Sequence, residues 1–383
     1  MATGPKTTYG DANLQPLALN PVITMIDWTE AALLRYLGIN NEGRFRFTAW
    51  PRREYYWHQD TMSPRSTTLA EAVSIGETAI DVTDGTIFKE GDVVRVQDST
   101  GELMHVNSVS SNTITVTKGF GGTADSAHDT ALTIEFVTSA RLEGADYDLG
   151  HTTTTTRIGN YTQILEEAVM VTKSELKESH YGVDDIMAYH IAKLIGGGMV
   201  GTKGKAGKLA IALQNTFYYG HKALGSDGAP RAMDGFEAMV TTNDVDKAGA
   251  TLTLDMIESQ METLFNAGGN PRTLMCNTHQ WRVINTFWSD LIRYDRTDAE
   301  GGQVITSVRT IFGDLEIVFD RWAPQDRLYF YEKEKMGWIT YRPFDIVDVP
   351  TSGDYIVKDI VGEFGFVLQN ESAHGFFYNL ATG

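Results

Sequence analysis

The sequence predicts an α+β protein that carries a small all-β domain as an insertion. Three observations indicate this class. Short β-rich runs separated by turn residues crowd residues 73–135, helical spacing dominates 183–224, and helices alternate with strands after residue 235. The chain has 383 residues, of which 42% are hydrophobic and 21% charged. This composition is typical of a folded protein, and the length is ample for a buried core.

Charge and cysteine usage exclude several classes of protein. The formal net charge of −18 argues against a protein whose whole surface grips nucleic acid. The single cysteine, Cys276, excludes an internal disulfide and suits a reducing cytosol. No apolar run reaches the roughly 18 residues of a membrane-spanning helix, and residues 1–20 lack the pattern of a signal peptide. We therefore expect no membrane contact.

The first elements are an arm and a short helix. Residues 1–22 are rich in Thr, Gly, Asn and Pro without periodicity, which predicts an extended N-terminal arm. Residues 23–43 contain "DWTEAALLRYLG", in which Asp27 is a candidate N-cap and Gly38 a stop signal. A short amphipathic helix is expected there.

The next region predicts a long hairpin with a domain inserted at its far end. Residues 44–72 and 136–172 would be its two arms, and 73–135 the inserted β domain. Residues 44–65 hold five arginines and two acids, a net of +3, whereas 73–135 hold ten acids and three bases, a net of −7. Such complementary patches could steer identical copies together. Solvated faces without a partner are an equally common reading of such charge.

Residues 173–234 show apolar spacing typical of helices, interrupted by glycines. "DDIMAYHIAKLI" and "KLAIALQNTFYY" each show one apolar face, and in the second this face is Leu209, Ala212, Leu213, Thr216 and Phe217. Glycine costs about 1 kcal/mol per position relative to alanine inside a helix. A kink or flexible joint is therefore predicted between residues 195 and 208. Its hinge candidates are Gly196, Gly197, Gly198, Gly201, Gly204 and Gly207.

The same stretch, "IGGGMVGTKGKAGKLA", superficially suggests a phosphate site. A P-loop requires glycine, four residues, glycine, lysine and then Ser or Thr. Here Leu209 follows Gly207 and Lys208, and Thr202 stands where the first glycine is needed. The spacing excludes a nucleotide-binding loop of this kind.

Residues 235–383 predict an α+β half with its own core. Helices are expected at "LDMIESQMETLFNAGG" and "THQWRVINTFW", with the strand "TLMCN" between them. Four or more strands follow: "QVITSVRTIFG", "LEIVFDRW", "RLYFYEKEKMGWITY" and "DYIVKDIVGEFGFVLQN".

No catalytic or metal-binding constellation is evident. Cys276 and His279 form one C-x-x-H pair, but zinc requires four ligands and no second pair exists. Glu166 and Glu167 are adjacent, so on a strand they face opposite sides. No Ser or Cys lies in a nucleophile context such as G-x-S-x-G. We expect no enzyme activity, no cofactor and no metal.

Several stretches resemble the major capsid (head) proteins of tailed bacteriophages, in a branch with a β-rich insertion in the extended loop. The resemblance is carried by "RSTTLAEAVSIGETAIDVTDGTIFKEGDVVRV", "SNTITVTKGFGGTADSAHD", "EGADYDLGHTTTTTRIGNYTQILEEAVMVTKSE" and "GNPRTLMCNTHQWRVINTF". It implies an N-terminal arm, an extended loop, a peripheral domain with a spine helix, and an axial domain. The spine region would be 173–234, and 235–383 would supply the axial domain and the remaining peripheral strands.

The resemblance further implies self-assembly into an icosahedral head shell that encloses double-stranded DNA. Partners would be other copies in hexamers and pentamers, with a separate scaffolding, portal or decoration protein as further candidates and only weak, non-specific contact with DNA. The protein would be located in the virion after assembly in the host cytoplasm. Large aromatic and arginine side chains of the loop arms are the candidate interface residues. They are Arg44, Arg46, Trp50, Arg52, Arg53, Tyr55, Tyr56, Trp57, Arg157 and Tyr161.

Two alternatives remain open at this point. The same fold builds encapsulin-like bacterial nanocompartments, which would hold cargo protein rather than DNA. An enzyme with an unrecognised site would instead show turnover as a monomer. The sequence does not fix the size of the shell.

Overall fold

The chain divides into two compact units. The computed structural model describes residues 32–37, 52–60, 63–144, 155–180, 183, 185–195, 207–287 and 307–382. One unit, here called the β module, comprises His58–Thr156; the other, here called the body, comprises Met1–Trp57 and Arg157–Gly383. Among the described helices, none is long and apolar enough to cross a membrane.

Helices and strands are numbered along the chain. The helices are α1 (Ala32–Tyr36), α2 (Ile186–Ile195), α3 (Lys208–Tyr219), α4 (Phe236–Met239), α5 (Leu254–Asn266) and α6 (Thr278–Phe287). The first nine strands are β1 (Glu54–Gln59), β2 (Ser66–Thr68), β3 (Ala79–Asp81), β4 (Asp92–Val96), β5 (Leu103–Ser110), β6 (Thr113–Thr117), β7 (Thr133–Ser139), β8 (Thr156–Tyr161) and β9 (Gln163–Thr172). The others are β10 (Asp244–Asp246), β11 (Thr273–Cys276), β12 (Ser307–Thr310), β13 (Gly313–Phe319), β14 (Leu328–Tyr331), β15 (Met336–Val349), β16 (Tyr355–Leu368) and β17 (Gly375–Tyr378).

The β module is one six-stranded antiparallel sheet in the order β2-β7-β4-β5-β6-β3. Alternate residues of its strands, such as Met104 and Val106 on β5, are fully buried in a shared apolar core. Gly85 packs against the turn between β5 and β6, where an added Cβ would lie 2.1 Å from the carbonyl oxygen of Ser111. Only glycine fits that approach.

The sheet of the β module extends beyond the predicted insertion, 73–135, at both ends. β2 lies before residue 73 and pairs with β7, which continues to Ser139. Leu69 also belongs to the buried core of the module. The prediction assigned β2 to the loop arm because its run is only three residues long. Its pairing with a strand more than 60 residues away is not visible in local texture.

The body contains a six-stranded mixed sheet in the order β10-β17-β14-β11-β13-β12. Its two central strands, β11 and β14, are buried at every position because the sheet is covered on both faces. Met275 and Tyr329 pack in one core cluster with α1, α3 and α4 residues. Leu274 and Phe330 pack in a second cluster with α5 and α6 residues. A strand that is buried on both faces has a nearly continuous apolar sequence, and "TLMC" and "LYFY" are examples.

A three-stranded antiparallel sheet, in the order β15-β16-β9, forms the rest of the body's framework. β9 was predicted as part of a loop arm, 136–172, and is instead an edge strand of this sheet. Val169 and Val171 alternate inward and pack with Met187 of α2 and Ile356 of β16. The pairing of β9 with β16, more than 180 residues away, is not visible in the local sequence.

The segment "RLYFYEKEKMGWITY" was predicted as one strand and forms two. A 3-10 turn at Lys333–Lys335 separates β14 from β15. β14 lies in the six-stranded sheet and β15 in the three-stranded sheet. The charged run between the two apolar runs is where the chain changes sheets.

Candidate assembly interface

The strands β1 and β8 form a two-stranded ladder that carries most of the described interface candidates. The N–H of Thr162 donates to the carbonyl oxygen of Arg53 at one end of this ladder. Successive side chains of a strand point to opposite sides. In β1 this alternation sends Tyr55 and Trp57 inward and Tyr56 outward.

Tyr55 and Trp57 are core residues of their own chain, with 1% and 7% of their surface exposed. They pack with Ile339 and Val367, and the hydroxyl of Tyr55 donates to the carbonyl oxygen of Phe366 at 2.8 Å. Burial raises the pKa of Tyr55 far above its usual value. Both side chains are enclosed by their own chain and offer little surface to a neighbouring copy, so their role as anchors stays a prediction.

Tyr56 is the aromatic side chain of β1 that remains accessible, at 38% exposure. The guanidinium carbon of Arg157 lies 4.6 Å from its ring centroid, which is a cation–π contact. Gly159 lies under the ring, where an added Cβ would come within 2.5 Å of the ring carbons. The hydroxyl of Tyr56 donates to Glu54, and this hydrogen bond raises the pKa of Tyr56. The ring is thus held in place on the surface.

Arg52 and Arg53 are exposed immediately before β1. Among the described residues, no ion pair or ring contact engages either guanidinium. Arg53 also lines an open groove of about 580 Å³, together with Tyr161, Ile164 and Leu224. We call Arg52, Arg53, Tyr56 and Arg157 the arginine edge.

The other wall of the groove is a loop whose base is held in place by Arg231. The Nε–H of Arg231 donates to the carbonyl oxygen of Thr162 at 2.9 Å, and the same guanidinium pairs with Glu363. Glu363 is only 3% exposed. A desolvated pair of this kind fixes the base of the loop while Leu224, at its tip, remains 74% exposed.

Several candidates lie outside the described residues: Arg44, Arg46, Trp50, Gly196, Gly197, Gly198, Gly201 and Gly204. Gly207 is described; it is a buried N-cap of α3 with extended backbone, φ −83° and ψ 174°. The described helices α2 and α3 end and begin at Ile195 and Lys208, on either side of the predicted joint.

The three-stranded sheet has a second surface that sequence reasoning did not identify. α2 covers one face near β9, whereas Ile346 on the β15 side of that face is 43% exposed. The opposite face exposes Met170 at 66%, Val347 at 49% and Val349 at 40%. The pairing registers place three rows across β9, β16 and β15 on this face. They are Met170–Val357–Val349, Ala168–Asp359–Val347 and Glu166–Val361–Asp345. We call these nine residues the outer face.

The outer face carries three carboxylates, from Glu166, Asp345 and Asp359, and no cation among its nine residues. The Oδ1 atom of Asp359 is buried and has no hydrogen-bond partner among the described residues. On the opposite face of the same strands, Asp348 pairs with Lys358 at 3.2 Å. Buried polar atoms in native structures are nearly always satisfied. Met170, Val347 and Val349 thus form an exposed apolar strip bordered by carboxylates, and a contiguous exposed apolar patch marks a candidate interaction site.

The signal for the outer face was present in the sequence. The residues of β9 alternate in exposure along "QILEEAVMVT". Glu166 had been considered only as a catalytic acid. Which of the two faces would be covered depended on the position of α2, which no local pattern specifies.

Catalytic and metal chemistry find no support in the geometry. Among the described residues, no group of three or more His, Cys, Asp or Glu side chains is arranged to hold a metal ion. Cys276 is fully buried, and burial raises the pKa of its thiol to about 12. Such a thiol is not a nucleophile at neutral pH.

Solved phage capsid structures share the fold of this chain. The capsid of cyanophage A-1(L) matches it with a TM-score of 0.56 at 12% identity, over 98% of this chain and 99% of that one. The capsid of a native GTA particle, computed with C5 symmetry, matches with a TM-score of 0.51 at 10% identity over 99% and 100%. A chain of Gordonia phage Cozz matches with a TM-score of 0.51 at 11% identity over 100% and 98%. These likenesses establish the tailed-phage capsid fold.

The family follows from the sequence itself. The model of the SU10 major capsid protein family matches residues 5–381, so the chain belongs to that family. A search of curated proteins finds no match. The protein is accordingly a structural protein that forms the shell of a tailed-phage head.

Proposed function

We propose that the protein assembles into a closed icosahedral shell around double-stranded DNA, with its copies arranged in hexamers and pentamers. The family match over residues 5–381 is the observation that carries this proposal. The arginine edge and the outer face support it, because both are exposed among the residues that the structure describes and exposed apolar and charged surfaces of this kind suit contacts between copies. The role is structural: the shell needs no cofactor and performs no turnover. Assembly takes place in the host cytoplasm, with a separate scaffolding, portal or decoration protein as a candidate partner.

The simplest test is expression of the full chain, alone or with a candidate scaffold, followed by electron microscopy. Closed particles of uniform size are expected. Particles that enclose protein cargo and exclude DNA would favour a nanocompartment, and a soluble monomer with turnover would overturn the structural role.

The N-terminal arm is proposed to bind neighbouring copies. Residues 1–22 lack the periodicity of a segment with its own core. Deletion of 1–22 should abolish shells while leaving a folded, soluble protein, as measured by circular dichroism and sedimentation. Normal particles from the truncated chain would remove the arm from the assembly mechanism.

The β module is proposed to lie on the outside of the shell. Residues 73–135 hold ten acids and three bases, a net of −7, which repels packaged DNA. DNA contact is then restricted to weak, non-specific sites such as Lys203, Lys205 and Lys208. In a density map of the shell, the module should project outward; density directed at the genome would contradict this.

The glycine-rich segment is proposed as a joint that lets one sequence adopt different curvatures. Replacement of Gly197, Gly201 and Gly204 by alanine removes a penalty of about 1 kcal/mol per glycine and should stiffen the segment. Misshapen or wrongly sized particles are expected in electron micrographs. Shells of normal size from the triple variant would show that no joint is required.

A further inference from the structure

The outer face and the arginine edge are complementary in charge. The outer face presents an apolar strip and the carboxylates of Glu166, Asp345 and Asp359. The arginine edge presents the ring of Tyr56 with Arg157 beside it, and the exposed Arg52 and Arg53. Neither set satisfies the other within one chain: among the described residues, no ion pair joins them.

The rows of the outer face lie at increasing distance from the groove. Ile164 lines the groove beside Arg53, Glu166 lies two residues further along β9, and Met170 lies six residues further. Six residues of strand span about 20 Å, so Arg53 of the same chain does not reach the far row. The apolar strip and its carboxylates are therefore available to a different copy of the chain.

We propose that the outer face of one copy binds the arginine edge of a second copy, head to tail. This inference rests on the proposed function, since it assigns one contact of the shell to named residues. Two different surfaces that bind each other make a heterologous contact, which closes into a ring when the rotation permits. Rings of this kind are what hexamers and pentamers require.

The chemistry of the contact follows from the side chains. Tyr56, held by Arg157 and Gly159, is an accessible aromatic of the type that anchors protein interfaces. It would cover the strip formed by Met170, Val347 and Val349. The aliphatic stems of the arginines pack on apolar surface while their guanidinium groups reach carboxylates. Glu166 and Asp345, the two exposed carboxylates of the face, would gain these donors.

Cysteine pairing tests the contact directly. The native Cys276 is fully buried, so it gives a low background. Arg52→Cys places a thiol on the arginine edge, and Ala168→Cys places one in the middle row of the outer face. Under mild oxidation of purified shells, the double variant should give a ladder of disulfide-linked oligomers on a denaturing gel. Each single variant should stay monomeric, and a mixture of the two should give dimers only.

Charge reversal tests the recognition, and β15 supplies its own control. Asp345 lies on the outer face, whereas Asp348 lies three residues away on the opposite face. Asp345→Lys should lower the yield of shells about tenfold or more, because like charges across an interface repel. Asp348→Lys should leave the yield within about twofold, since a solvent-exposed charge contributes little. Adding Arg53→Glu to Asp345→Lys should recover most of the lost yield. Circular dichroism establishes that each chain is folded.

The outcomes separate this inference from the function on which it rests. Disulfide dimers from Ala168→Cys alone would mean that two outer faces meet about a two-fold axis, which overturns the head-to-tail contact. Shells that form normally but give no ladder overturn the inference and leave the function standing. If the unaltered chain forms no shells even with a scaffold, the proposed function fails and the inference fails with it.

Discussion

The β module and the body each bury a carboxylate, and they treat it differently. Glu102 of the module and Asp320 of the body are both fully inaccessible to solvent. Glu102 lies beside Lys118 and His128, whereas the described donors to Asp320 are all neutral. One chain thus stabilises a buried carboxylate in two ways. The stability of the β module and that of the body should therefore respond differently to mutation of these acids and to pH.

In the module, Glu102 is the centre of a charged cluster. Its Oε2 atom lies 2.9 Å from Nε2 of His128 and 3.8 Å from Nζ of Lys118. The backbone N–H of Gly119 donates to the Oε1 atom of Glu102, and the N–H of Ser126 donates to Oε2. The other ring nitrogen of His128 lies 2.6 Å from Asp98, so an imidazolium would donate to both carboxylates. The cluster fastens the loop 119–128 to the turn before β5.

In the body, Asp320 joins α3 to the six-stranded sheet. Tyr218 and Gln214 of α3 both donate to its Oδ2 atom, and the N–H of Trp322 donates to Oδ1 at 3.1 Å. No cation takes part in these bonds. Burial therefore dominates, and it raises the pKa of Asp320. Burial of a charge without a counter-charge favours the protonated form.

Removal of Glu102 should have the largest effect. Glu102→Ala removes the acceptor shared by Lys118, His128 and two buried backbone N–H groups, which should cost about 3 kcal/mol or more of the module's stability. Lys118 and His128 keep their contacts with Asp125 and Asp98. Hydrogen exchange should accelerate in β5 and β6 and stay unchanged in β11. Glu71→Ala, at an exposed acid of the same module, is the matched control. If exchange also accelerates in β11, the two units do not open independently.

The next effect in size is expected on acidification, which should destabilise the body through His374. Burial lowers the pKa of this histidine from 6.5 to about 3. The unfolded chain takes up a proton below about pH 6.5 and the folded body does not, so stability is lost as pH falls from 6.5 towards 3. At pH 4, the lower end of the measured range, the loss is about 3 kcal/mol. Asp320 opposes part of it: its raised pKa gives a contribution that is present below 3.8 and lost as pH rises through the folded value.

Denaturant unfolding between pH 7 and 4 would measure this, with the signal followed in the body. In His374→Gln the side-chain amide can accept from the N–H of Glu332 and donate to the carbonyl oxygen of Gln369, as the imidazole does. This variant should lose most of the pH dependence, and His221→Gln, at an exposed histidine, should retain it. An unaltered slope in His374→Gln would assign the effect to another group.

Asp320→Asn should have a smaller effect than either change above. The asparagine has one acceptor oxygen where the carboxylate has two, so one donor among Tyr218, Gln214 and the Trp322 N–H loses its partner. A buried unsatisfied group costs about 1–3 kcal/mol. Asp326→Asn, at a more exposed site in the same segment, should be close to neutral. Thermal unfolding of both variants would check the difference; equal midpoints would show that the buried hydrogen bonds contribute nothing.

The smallest effect is expected from Asp98 in the module. Burial opposes ionisation, but hydrogen bonds from Thr100 and His128 prevail and lower the pKa of Asp98 to about 2. A depressed pKa contributes stability above the unfolded value of 3.8, and this is lost as pH falls from 3.8 towards 2. The module should therefore loosen at a lower pH than the body does through His374. Hydrogen exchange of β5 and β14 across pH 6 to 2 would reveal the order, and the reverse order would refute the comparison.

The sequence by itself determined the local elements and the family. Helical spacing located α5 and α6, the apolar run "TLMC" located β11, and the turn-rich texture located most of the β module. The capsid resemblance carried by those stretches is confirmed by the family match over residues 5–381. Local periodicity suffices for these features because it reports which side of an element avoids water.

Only the tertiary structure decided which strands pair and which polar groups are buried. The predicted apolar face of α3 included Ala212 and Thr216, yet the buried positions are Ala210, Gln214 and Tyr218 together with the leucines and Phe217. Gln214 and Tyr218 are inside because Asp320, more than 100 residues away, accepts their hydrogen bonds. In the same way, α2 covers one face of β9 and leaves the outer face free. Such partners meet only after folding, so no local pattern of residues can specify them.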